Sequence, residues 1–129
     1  MKVLVGNPTI DAIYFGGALG ADTIALRAAS EYRKGKRPHL TVVCPDTRDK
    51  QPWDARKYFD LADEVIELKN HITKADNYAS FKERNVYLVD QASVVVGFFS
   101  GNWASGTGHA LKYAKNQGVE TRVIQVSLN

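Results

Sequence analysis

Ser93-Val94-Val95-Val96-Gly97-Phe98-Phe99 is the longest apolar run in the chain, and what surrounds it decides the fold. Seven residues are strand length, far short of the ~20 needed to cross a bilayer. The run is β-branched and continuous, as in a strand covered on both faces. A glycine-rich loop follows it, then a helical pattern over 105–117 that stops at Gly118, then a last strand, Arg122–Val126. A strand, a crossover helix and a second strand make a parallel pair, because parallel strands need a long connection.

The same alternation extends toward the N-terminus. Leu40-Thr41-Val42-Val43-Cys44 is a second continuous β-branched run, stopped by Pro45. Lys2–Val5 and Ile10–Phe15 read as strands on either side of a Gly6-Asn7-Pro8 turn. From Asp22 to Lys34, Ile24, Ala25, Ala28, Ala29 and Tyr32 recur at helical spacing, and Gly35 and Pro38 end the helix. Asp54–Ala62 reads as a short helix and Glu64–Leu68 as a strand. Thr73 and Asp76 form a capping box for a helix reaching Asp90. The expected fold is α/β: one Rossmann-like three-layer domain over residues 1–129, with a mainly parallel sheet and helices on both faces.

Composition agrees with this class. Apolar residues make up 44% and charged residues 24% of 129 residues, which excludes a disordered tail, a collagen-like repeat and a disulfide scaffold. Seventeen basic against fourteen acidic residues leave a net charge of +3, too small to imply nucleic-acid binding. The single cysteine, Cys44, cannot form an intramolecular disulfide and suits a reducing compartment. With no membrane span and no signal peptide in the pattern, a cytoplasmic protein is expected.

Ligands of such sheets bind beyond the carboxyl ends of the strands. Two glycine-rich loops fall there. In Phe15-Gly16-Gly17-Ala18-Leu19-Gly20-Ala21-Asp22-Thr23, Gly16 and Gly17 let the backbone approach a ligand and Gly20 clears the helix entrance. Asp22 or Thr23 can cap the helix. The spacing is neither a Walker A loop nor a strict G-x-G-x-x-G. The second loop, Ser100 to His109, carries Ser105, Gly106 and Thr107 at another helix start, where hydroxyls and N–H groups can hold an anion. Each loop also reads simply as a tight strand-to-helix turn. Arg84 offers a planar fork for phosphate or carboxylate, Asn85 can bond a base or ribose, and Glu83 and Asp90 are nearby acids. A solvated helix face explains the same residues.

Gly16-Gly-Ala-x-Gly-Ala-Asp22, Arg84-Asn-x-x-Leu-Val-Asp90 and Ser105-Gly-Thr107, in that order, resemble the SLOG superfamily of Rossmann-like nucleotide-binding domains. This group includes the "lonely guy" phosphoribohydrolases and the DNA-processing protein A family. The resemblance runs from Ile10 to Val126 and implies a nucleotide or nucleotide-derived ligand. Its phosphate would sit on Gly16, Gly17, Ser105, Gly106 and Thr107, with Arg84 close by. It also implies a homodimer or higher homo-oligomer. Two departures stand out. After Thr107 come Gly108, His109 and Ala110, so the glutamate that serves the hydrolase branch is absent. Between the first two strands only Gly6–Thr9 remains, too short for a helix.

The expected activity is therefore binding, in a sensor or sequestering protein. The alternative is an N-glycosidase, phosphoribohydrolase or deoxyribosyltransferase-like enzyme acting on nucleoside phosphates, with Arg84, Glu83, Asp90 or His109 replacing the missing carboxylate. His109, in the first helical turn, reads as a neutral base or ribose partner, or as a partly exposed helix residue. Cys44 reads as a buried strand residue rather than a nucleophile. Trp53 stacks on a base or anchors its loop, and Trp103 covers the ligand or packs between subunits. Arg33–Arg37 is a solvated basic cluster. His39 and His71 fall in loops, and no spacing suggests a metal site or a cofactor.

Overall fold

The structure is a computed structural model, and it describes residues 5–7, 9–16, 21–69, 77–99, 101 and 106–125. The chain divides into two compact units, Met1–His71 and Ile72–Asn129. Both are α/β, and every strand ladder among the described residues is parallel.

In the first unit, three strands, β1 (Ala12–Phe15), β2 (His39–Cys44) and β3 (Glu64–Glu67), form a sheet in the order β1-β2-β3. Ala12 pairs with His39 and Phe15 with Val42, while Thr41 pairs with Glu64 and Cys44 with Glu67. The central β2 is buried from Leu40 to Cys44, as its uninterrupted apolar pattern requires. Leu40, Val42 and Cys44 alternate onto one face and join a core of Phe15, Leu26, Ala29, Ala55 and Phe59. Leu26 and Ala29 come from α1 (Ala21–Tyr32), the crossover between β1 and β2. Burying a side chain such as Leu40 contributes about 1.5–3 kcal/mol.

The expected first strand, Lys2–Val5, lies outside the described residues except for Val5, which with Gly6 is helical. Asn7 turns the chain next, its Oδ1 accepting from the Thr9 N–H at 2.9 Å and the Thr9 hydroxyl at 2.7 Å. Ile10 N–H donates to the Asn7 carbonyl at 3.1 Å, so Ile10 belongs to that turn and β1 starts later than its apolar pattern suggests. His39, expected in a loop, is the first residue of β2, because its N–H reaches the Asp11 carbonyl at 2.8 Å.

The expected helix Asp54–Ala62 is broken. A 3₁₀ turn (Arg48–Lys50), the one-turn α2 (Trp53–Arg56) and a second 3₁₀ turn (Phe59–Leu61) take its place. Tyr58, Leu61 and Ala62 each donate three residues back, at 3.0–3.1 Å. This tighter winding lets Ala55 and Phe59 both enter the core, a gain that outweighs helix propensity.

Arg33 and Asp63 lock the strand ends together. Arg33 Nη1 and Nη2 reach the two Asp63 oxygens at 2.5 and 3.2 Å, and Nη1 also donates to the Pro38 carbonyl at 3.2 Å. Asp63 Oδ2 accepts the Leu40 N–H at 2.9 Å. These bonds hold the Asp63 carboxyl at about 2, below its ordinary 3.8. Its stabilising contribution is complete above 3.8 and is lost as the pH falls through about 2. Asp63→Asn should cost about 1 kcal/mol at pH 7, once solvent screening is allowed for. Urea midpoints should show that gap closing as both proteins are taken toward pH 2; a constant gap would refute it.

In the second unit, α3 (Asn77–Gln91) leads into β4 (Val94–Phe99), and α4 (Gly106–Asn116) crosses over to β5 (Glu120–Gln125). The β4–β5 register runs from Val94–Glu120 to Phe99–Gln125. Leu111 and Ala114 of α4 are fully buried. The helix closes in a Schellman motif: Gly118 sits at φ 73°, its N–H reaches the Lys115 carbonyl at 3.1 Å, and Val119 N–H reaches Ala114 at 2.9 Å. The capping box at Thr73 and Asp76, His71, and the end of the last strand at Val126 lie outside the described residues. Among the described residues, no helix is long and apolar enough to cross a membrane.

Candidate functional site

The second unit gathers charged and polar groups where α4 begins. Gly97 lies in the middle of β4, and a Cβ there would come within 3.1 Å of both Leu111 Cδ2 and Thr107 Cγ2. The absent side chain is thus what lets the first turns of α4 lie directly on the strand. α3 packs against α4. Asn85 Nδ2 donates to the Gly106 carbonyl at 3.2 Å, and Asp90 accepts from the Tyr113 hydroxyl at 2.8 Å further along both helices. The two helices therefore run in the same direction, and the middle of α3 lies beside the N-terminus of α4.

Arg84 and Asn85 are both only 8% exposed. A buried guanidinium is rare unless paired, and Arg84 makes contacts of its own. His109 belongs to the first turn of α4. Its Nδ1 is buried with no hydrogen-bond partner among the described residues. Burial, and secondly the Lys82 ammonium, push the imidazole below its ordinary value, so it is neutral at pH 7. The Lys82 charge acting at His109 and the positive end of the α4 dipole both favour an anion at this helix start.

The structure thus brings Asn85 to Gly106, and His109 into the field of Lys82. It directs the Thr107 methyl toward β4. Glu83 is exposed on α3. Asp90 lies six residues beyond Arg84, about 9 Å along the helix axis, and is engaged by Tyr113, whose phenol it raises above the ordinary value. Ser105 and Trp103 lie outside the described residues. In the first unit Gly16 is buried directly after β1, and Asp22 sits in the first turn of α1; Gly17 and Gly20 lie outside the described residues. Cys44 is buried and forms no disulfide, and Asp46, two residues on, is buried as well. Among the described residues no cluster of His, Cys, Asp or Glu could hold a metal ion.

Lys82 is the residue that sequence reasoning passed over. Its signal was available, because Lys82 and Asn85 are three apart and share a helix face.

No protein-family model matches the chain, and no curated protein matches it.

The Lys82–His109 relation has a direct test. In a Lys82→Met protein the His109 midpoint, followed by NMR of its ring protons, should rise toward 6.5. In the parent, the lowered midpoint means that stability is lost as pH falls below 6.5, because the unfolded chain takes up the proton first. An unmoved midpoint in the variant would separate the two residues.

Proposed function

We propose that the protein binds a nucleotide or nucleotide-derived ligand, as a sensor or sequestering protein, with a ligand phosphate at the N-terminus of α4. The observation that supports this reading is the Asn85 bond to the Gly106 carbonyl at the start of α4, with the Lys82 charge acting on His109 in the same first turn and Arg84 buried beside Asn85 in α3. Two cations and a helix N-terminus favour a multiply charged anion. Ser105, Gly106 and Thr107 would supply backbone and hydroxyl donors, Arg84 the bidentate clamp. In the first unit, Gly16, Gly17, Gly20 and Asp22 at the start of α1 make a second loop of the same type. A SLOG-type, Rossmann-like three-layer arrangement and a homo-oligomeric state belong to the same proposal.

Binding is better supported than turnover. An N-glycosidase needs a carboxylate beside the anion, and Glu83 is exposed while Asp90 is taken by Tyr113. Native mass spectrometry of the purified protein, followed by denaturation to release what it carries, tests the reading. A nucleotide-sized mass is expected, together with a thermal shift from the same compound; saturation to a hundredfold of Kd stabilises by about 2.7 kcal/mol. An empty protein that no nucleoside phosphate or ADP-ribose stabilises would overturn it.

A further inference from the structure

His109 is a partly buried titratable group to which the binding reading gives no task. It stands in the first turn of α4, three residues after the Gly106 carbonyl that accepts from Asn85. Helical side chains lean back toward the N-terminus of their own helix, so the imidazole lies over the helix start that would hold the phosphate. Its Nδ1 is buried, and no hydrogen bond reaches it among the described residues. Such an atom asks for an explanation, because buried polar groups are nearly always bonded. It also means that no bond at Nδ1 has to break when the ring changes its protonation state.

The charges around the ring are one-sided. The described parts of the elements packed on it bring Lys82, Glu83, Arg84, Tyr87 and Asp90 from α3, and Glu120 and Arg122 from β5. β4 brings no titratable group, and α4 itself adds Lys112, Tyr113 and Lys115. All three carboxylates are directed elsewhere. Glu83 is exposed, Asp90 accepts from the Tyr113 hydroxyl, and Glu120 pairs with Arg122 at 3.4 Å. The charge felt at the imidazole is that of Lys82, and it opposes protonation. An anion at the helix start would supply the opposite charge that a protonated ring lacks here.

We propose that the anion and a proton on His109 bind together. An anion seated at the start of α4 draws a proton from solvent onto the imidazole, and the protonated imidazole holds the anion more tightly, the two effects being equal by linkage. The site then fills more readily as the pH falls. This inference rests on the nucleotide reading above and names the regulation of that same site, within the second unit alone.

Calorimetric titration with the tightest binder among AMP, GMP, CMP and UMP tests it, in the parent and in His109→Gln, from pH 8 to pH 5. The ratio of the two affinities, parent over variant, cancels the titration of the nucleotide itself. It should be near one at pH 8 and about five- to tenfold at pH 5, for a midpoint raised by about one unit, the low end of what an adjacent opposite charge does. NMR of the parent alone gives a second reading: the midpoint of the His109 ring protons should rise when the nucleotide is saturating. If the nucleotide binds but that midpoint does not move, or the ratio stays constant with pH, the inference fails while the nucleotide reading stands. If none of the four binds the parent at any pH in this range, both fall together.

Discussion

Gly97→Val should destabilise the protein by about 2–3 kcal/mol, in the range of overpacked cores. Even a first carbon at this position would stand 3.1 Å from Leu111 Cδ2, 3.1 Å from Thr107 Cγ2 and 3.3 Å from Leu111 Cδ1. Valine adds two methyl groups beyond that point. Leu111 is fully buried, so it has no free space to move into. The added volume must instead push the start of α4 away from β4, carrying Thr107 and His109 with it. Gly97→Ala should cost less, because its neighbours need yield only a few tenths of an ångström. Combining Gly97→Val with Leu111→Ala should restore part of the loss, since the two changes act on one space. Urea unfolding of the four proteins measures all of this; a Gly97→Val midpoint equal to the parent's would show that α4 does not lie on the strand as described.

The second large effect is on binding. Arg84→Gln should reduce affinity for nucleoside monophosphates about a hundredfold, the loss of two charge-assisted hydrogen bonds at about 1.5–3 kcal/mol each, offset in part by solvent. Arg84→Lys should recover little, because an ammonium does not reproduce the planar fork. Lys82→Met should have the smaller effect, since Lys82 acts through its field. Titrations belong at a temperature where circular dichroism shows each variant folded, because removing a side chain as buried as Arg84 also lowers stability. Unchanged nucleotide affinity in Arg84→Gln would remove the anion clamp from the proposed site.

How much of this was readable from residues alone differs from element to element. The continuous runs at Leu40–Cys44 and Val94–Phe99 are parallel strands, and Gly118 ends α4 with the positive φ expected of it. Local pattern suffices in these places because burial on both faces and a left-handed cap each leave a mark in a few adjacent residues. The segment after Trp53 was not readable in this way. Its helical propensity is real, but the burial of Ala55 and Phe59 and the ion pair between Arg48 and Asp60 at 2.6 Å favour two tight turns. Pairing across helices was equally hidden. Nothing near Asp90 announces Tyr113, and nothing near His109 announces Lys82, because both relations arise only when α3 and α4 pack. The glycines of the two loops, by contrast, are legible in the sequence alone, because each lies between an apolar strand pattern and a helical one.

The purely parallel ladders carry a consequence for how the chain reaches this state. Among the described residues no strand pair is a hairpin, and each joins residues about two dozen apart in the chain. Such closures are slower than local contacts, because chain entropy is lost before any pairing repays it. Yet among the described residues each sheet draws on one contiguous stretch, β1, β2 and β3 on Ala12–Glu67 and β4 and β5 on Val94–Gln125. On the ribosome the first of these sheets can therefore close once Glu67 has emerged, while the second half is still being made.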